Sequence, residues 1–273
     1  MEQALSEIRI AEWALRSILE PYITGQYRPD FPDGQVADHI LTRLIDDLRK
    51  EKLPRGYISS FSEQGDLLSQ WKGYSLEGVG VSIGMRESVL VELANKAGFQ
   101  LRNCNYVDEH VGLDSYEAAS ESIKKILGRW TPIHQFSYGD FPDNFGDFEA
   151  EELAPPRIES FYRENLSDLF ACIASYKHSS WSEEREVRLI KIDADRDQIR
   201  FRHSGSSTIP FVEFPLMDPR EEIYIDEITF WAARAPAETA AYIYSLLSKS
   251  AVKNANGGNC SVTQSQNPYR PRS

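Results

Sequence analysis

Tyr176-Lys177-His178-Ser179-Ser180-Trp181-Ser182-Glu183-Glu184-Arg185-Glu186-Val187-Arg188-Leu189-Ile190 is the stretch on which the reading of this chain turns. A helical pattern over 156–175 ends just before it. From Glu184 the order Glu-Arg-Glu-Val-Arg-Leu-Ile alternates, which predicts a strand over 184–192. That alternation puts Glu184, Glu186 and Arg188 on one strand face. Three charged side chains on one face, close to Lys177 and Trp181, suit a solvated active-site cleft. They also suit the solvent-facing side of an antiparallel strand joined by ion pairs.

Working outward, helices are predicted over 2–22, along the stripe Ile40, Leu41, Leu44, Ile45 and Leu48, and over 66–74, 87–97, 114–128, 156–175 and 236–249. Strands are predicted over 56–62, 78–84, 99–107, 184–192, 198–203, 208–215, 222–231 and 260–265. The segment 131–150, rich in Pro, Gly, Asp and aromatic residues, reads as an irregular loop or lid, 254–259 as a polar loop and 266–273 as a tail. Strands gather late in the chain, and helices are inserted between the early ones. This ordering predicts an α+β fold, a single domain over 1–273 with a mixed or antiparallel sheet.

A chain of 273 residues with 41% hydrophobic and 26% charged residues can bury a full core. Its net charge of −12 argues against a broad nucleic-acid footprint, which needs a dense basic surface. Cys104, Cys172 and Cys260 are far apart, fit no metal spacing and read as reduced thiols. No apolar run approaches the roughly 20 residues of a membrane span. The opening Met1-Glu2-Gln3-Ala4 has neither part of a signal peptide, so no membrane association and a cytoplasmic location are expected.

The familiar chemical motifs are missing from the sequence. Gly78, Gly80 and Gly84 have the wrong spacing for a dinucleotide fingerprint and read as strand glycines that admit a close neighbour. There is no phosphate-binding Gly-Lys-Ser/Thr loop, no zinc-binding HExxH and no GxSxG elbow. No two of the five histidines share helical or strand spacing with a carboxylate, so no metal site is expected. Ser60 and Ser62 share one face of their strand while Phe61 points the other way, into the core. The pair could line a site, or Ser62 could cap the next turn.

The run from Tyr57 through Ser60, Ser62, Asp66 and Trp71 to Tyr74, followed by 78–84, resembles the bacterial domain-of-unknown-function family 2971. So do Lys177 with Trp181, Glu184, Glu186 and Arg188, and so does the end: 210–216, 225–228 and Ser265-Gln266-Asn267-Pro268-Tyr269-Arg270. Members of that family begin with a strand of Leu-Tyr-His-Tyr-Thr type and an Asn-Asp-x-x-Glu element. Met1-Glu2 looks like the tail of that element, so the resemblance implies that the first strand is missing here.

More remotely, a Ser-x-Ser strand, a helix and a distant Glu-x-Glu strand are similar to the layout of ADP-ribosyltransferases. That resemblance implies NAD as the substrate, with Ser60 and Ser62 lining the nicotinamide pocket and Glu186 as the catalytic carboxylate. Glu184 would orient the acceptor or support Glu186. Trp71 or Tyr74 would stack on a ligand ring, and Arg185 or Arg188 would pair with pyrophosphate. The activity implied is ADP-ribosyl transfer or NAD hydrolysis, with a small-molecule nucleotide as partner. Two other readings stand beside it. Trp181, Glu184, Glu186 and Arg188 could form a non-catalytic recognition network, or Lys177, Glu184, Glu186 and Arg188 a buried ion-pair network that sets the fold. Arg270 would return to the cleft, or its segment would cover an edge strand.

Overall fold

The structure, a computed structural model, describes residues 34–50, 55–75, 79–107, 123, 125–129, 150–205, 207–217, 223–232, 236–250, 252–254 and 256–267. The helix expected over 2–22, most of the helix over 114–128, the lid over 131–150 but for its last residue, and everything after Asn267, Arg270 included, lie outside the described residues. Helices alternate with short strands in small mixed and antiparallel sheets, the α+β arrangement that the element order predicts. The chain divides into two compact units. One holds 1–56 and 104–181, the other 57–103 and 182–273.

In the first unit, helix α1 (Gly34–Arg49) buries Ile40, Leu41, Leu44 and Ile45, as their three-and-four spacing requires. It packs against the long helix carrying Ile158, Phe161, Tyr162 and Leu169 (Ala150–Ile173). Between these helices the Tyr162 hydroxyl donates to Asp47 Oδ2 at 3.0 Å, and Arg43 lies 3.4 Å from the same oxygen. Burial, with the Asp47 carboxylate beside it, holds Tyr162 neutral well above its ordinary range. Strand Asn105–Val107 runs parallel to Tyr176–His178, so a short strand separates the long helix from the charged stretch. The helix ends where Ser175 Oγ donates to the Cys172 carbonyl at 2.6 Å.

The second unit carries the Ser-x-Ser and charged strands. Strand β1 (Gly56–Ser62) is followed by α2 (Leu68–Tyr74), β2 (Val79–Gly84), α3 (Glu87–Ala97) and β3 (Gln100–Asn103). The later strand Glu186–Ile192, here βE, lies between β1 and β3 in a three-stranded sheet. βE and β3 run antiparallel, with Gln100 opposite Ile190, Leu101 opposite Leu189 and Arg102 opposite Arg188. One sheet face is apolar: Leu189, Leu101 and Phe61 pack with Ala94, Ala97, Phe99, Val212 and Phe214. The rings of Phe99 and Phe214 meet edge to face at 5.1 Å. A second sheet pairs β2 antiparallel with Glu227–Ala232, which in turn runs parallel to Ser261–Gln264. The helix Pro236–Leu247 packs on it, and Ile228, Phe230, Ile243 and Cys260 form the buried centre.

Four expected boundaries are corrected. The strand foreseen over 184–192 begins only at Glu186, because Ser179–Glu184 coils into a 3-10 helix and Arg185 turns into the left-handed region at φ 42°. The strand over 99–107 breaks at Cys104, since its halves pair with different partners. The strand over 222–231 breaks at Ile225-Asp226, where the Asp226 carboxylate accepts from the Arg86 backbone at 2.9 Å and its carbonyl from the Ser261 backbone at 3.0 Å. The strand over 208–215 stops at Val212 and forms with Ile199–Ser204 a two-stranded hairpin. Gly205, at φ 58°, makes its tight turn.

Candidate functional site

The polar face of the β1-βE-β3 sheet is the strongest candidate. Alternation along βE sends Val187 and Leu189 away from Glu186 and Arg188, so these two share the face opposite the Phe99 core. Both are buried, Glu186 at 5% exposure and Arg188 at 9%. Arg188 Nε donates to Glu186 Oε1 at 2.9 Å, and Nη2 lies 3.5 Å from the other carboxylate oxygen. Across the strand pair, Ser60 Oγ of β1 donates to the same Oε1. Ser60 itself is exposed, so a solvent-facing hydroxyl sits against a buried carboxylate. A carboxylate whose one oxygen accepts from both a guanidinium and a hydroxyl has a fixed orientation.

The remaining expected residues separate from this pair. Glu184 ends the 3-10 helix instead of sharing the strand face, because the left-handed turn at Arg185 resets the alternation. Its backbone carbonyl accepts from Ser62 Oγ at 2.8 Å, so Ser62 ties down the entrance to βE and also caps Gln64 at 3.1 Å. Lys177 stands 5.6 Å over the half-exposed ring of Trp181, a cation–π pair in the first unit.

Trp71 is buried at 6% exposure, while Tyr74, on the same short helix, is 80% exposed. The indole of Trp71 lies against Gly80, where an added Cβ would come within 3.2 Å of its ring. Its Nε1 donates to Asp66 Oδ1 at 2.5 Å. Asp66 is a hub: its carboxylate also accepts from Ser265 Oγ at 2.5 Å, from Asn267 Nδ2 at 2.8 Å and from the Gln266 backbone at 3.1 Å. Desolvation alone would raise the Asp66 pKa; the hydrogen bonds from Ser265, Trp71, Asn267 and Gln266 outweigh it and hold the carboxyl below its ordinary range. Trp71 is therefore engaged in packing and in this network. The Gly80 position admits the indole, as the sequence suggests a strand glycine would admit a close neighbour.

Sequence reasoning passed over Arg102. On β3 it lies on the polar face directly opposite Arg188, and its Nε and Nη2 reach Gln100 Oε1 at 3.2 and 2.8 Å. The signal was available in the order Gln100-Leu101-Arg102, polar residues alternating about a core leucine. Among the described residues no group of His, Cys, Asp and Glu could hold a metal ion, and no helix is long and apolar enough to cross a membrane.

A family model described as "Protein of unknown function (DUF2971)" matches residues 70–189. The matched stretch contains Trp71, Arg102, Glu186 and Arg188, and the chain is similar to that family there. No curated protein and no solved structure matches the chain.

Proposed function

We propose that the polar sheet face around Glu186 is the NAD site of an enzyme that hydrolyses NAD or transfers its ADP-ribosyl group. The observation that carries this reading is the hydrogen bond from Ser60 Oγ to Glu186 Oε1 between neighbouring strands. It joins the Ser-x-Ser strand to the late glutamate, the two elements that the resemblance to ADP-ribosyltransferases singles out. In the reaction the C–N bond between ribose and nicotinamide breaks, and its electron pair leaves with nicotinamide. Positive charge develops at the ribose carbon, where a carboxylate stabilises it. Water or an acceptor nucleophile then bonds to that carbon and gives up a proton. Glu186 is the carboxylate, Ser60 and Arg188 fix its orientation, and NAD is a substrate here, not a resident cofactor.

The pairing of Arg188 with Glu186, both buried, favours a second reading in which the network only sets the fold. Breaking a buried pair by removing one partner costs about 3–5 kcal/mol. Nicotinamide release and melting temperature, measured together, separate the two. The enzyme reading expects Glu186→Gln to lower turnover by about 10²–10³-fold with melting nearly unchanged. It expects Ser60→Ala to cause a smaller loss. A wild-type chain inert toward NAD, with Glu186→Gln melting far lower, would sink it in favour of the structural reading.

A further inference from the structure

We infer that Arg102 binds the diphosphate of the ligand on this sheet face. The inference rests on the NAD reading for the ligand's identity but on its own observation for the charge. Arg102 and Arg188 are direct partners across an antiparallel strand pair. Like charges so placed repel and destabilise a sheet unless something negative compensates them. Arg188 has its carboxylate in Glu186, 2.9 Å away. Arg102 has none among the described residues; its guanidinium rests on the neutral oxygen of Gln100. Counted over Arg102, Arg188 and Glu186, and among the described residues alone, the face therefore carries one more positive than negative charge, on a half-buried arginine, in a chain whose net charge is −12.

The two guanidiniums also part from each other. Each folds back along its own strand, Arg102 toward Gln100 and Arg188 toward Glu186, and because the strands are antiparallel those directions are opposite. Both arginines lie on the face from which Ser60 reaches Glu186. A planar guanidinium offers two parallel N–H donors that match phosphate oxygens, and adjacent strands stand about 4.8 Å apart. A diphosphate laid across β3 and βE thus meets Arg102 while its ribose end meets Glu186. This geometry selects a dinucleotide or nucleoside diphosphate over an uncharged sugar.

The test is calorimetric titration of the whole chain with ADP-ribose, ADP and adenosine, in the wild type, Arg102→Gln and Arg102→Lys, with melting temperature as control. ADP and ADP-ribose should bind at least tenfold more weakly to Arg102→Gln. Arg102→Lys should fall between the two, and raised salt should weaken the wild type most. If Arg102→Gln melts early, the Lys variant decides. Phosphate affinity equal to wild type in a folded variant overturns the inference, as does a wild type that binds neither ADP nor ADP-ribose. Arg102-dependent ADP binding without any NAD cleavage keeps the inference and removes the enzyme reading. NAD cleavage with KM unchanged in Arg102→Gln does the reverse.

Discussion

Replacing Asp66 by alanine takes the acceptor away from four donors at once: Trp71 Nε1, Ser265 Oγ, Asn267 Nδ2 and the Gln266 backbone. Trp71 is buried, so its ring N–H would be left without a partner away from water, at about 1–3 kcal/mol. Ser265 is buried as well, so its hydroxyl adds a loss comparable to that of Trp71, while Gln266 and Asn267 are reached by solvent and each lose about 0.5–1 kcal/mol of net hydrogen bonding. The sum is at least about 3 kcal/mol, which moves a urea midpoint by on the order of 1 M or more. Asp66→Asn keeps one acceptor oxygen but turns an amide toward a donor, and it should lose about half as much. The pH dependence has a definite sign. The folded Asp66 pKa lies below the ordinary aspartate value of 3.8, so its stabilisation is present above that value and lost as pH falls through the folded one. The wild-type advantage over Asp66→Asn should therefore shrink below about pH 4. A urea midpoint for Asp66→Ala within 0.2 M of wild type, on the order of measurement error, would refute the hub.

Gly80→Leu should lower stability by about 1–3 kcal/mol and change near-ultraviolet circular dichroism, because the first added carbon would meet the Trp71 ring at 3.2 Å and the Ser75 Cβ at 3.0 Å. Leu189→Ala, at 2% exposure between Ala94 and Phe99, should cost about 2–5 kcal/mol in a denaturant titration. Tyr162→Phe should destabilise by about 1–2 kcal/mol at neutral pH through the lost bond to Asp47. Because the folded Tyr162 pKa is raised above 10.0, its contribution is complete below that value and declines as pH climbs beyond it. The gap between wild type and Tyr162→Phe should then narrow in alkaline melts.

Much of the fold follows from local pattern. The stripe Ile40, Leu41, Leu44 and Ile45 and the opposed faces of Phe61 and Ser60 are periodicities of 3.6 and 2 that neighbouring residues enforce. The shared face of Glu186 and Arg188 was legible for the same reason. Glu184 was misplaced because nothing in an arginine announces a left-handed turn at Arg185. The importance of Arg102 depends on strand register, which pairs it with a residue 86 positions on and which a single sequence does not state. The Asp66 hub is equally non-local, since Ser265 and Asn267 lie 199 and 201 residues away from it. From the sequence, Trp71 or Tyr74 reads as a stacking platform; the indole N–H bond to Asp66 and the space left by Gly80 show how the Trp71 ring is already used.

The most direct test of the account is a product analysis: the folded chain is incubated with NAD, and nicotinamide is quantified against ADP-ribose, both free and protein-attached. The account predicts nicotinamide matched one-for-one by ADP-ribose in the two pools, and loss of both in Glu186→Gln at unchanged melting temperature. Intact NAD after incubation with folded wild-type chain, or equal release by Glu186→Gln, would contradict it.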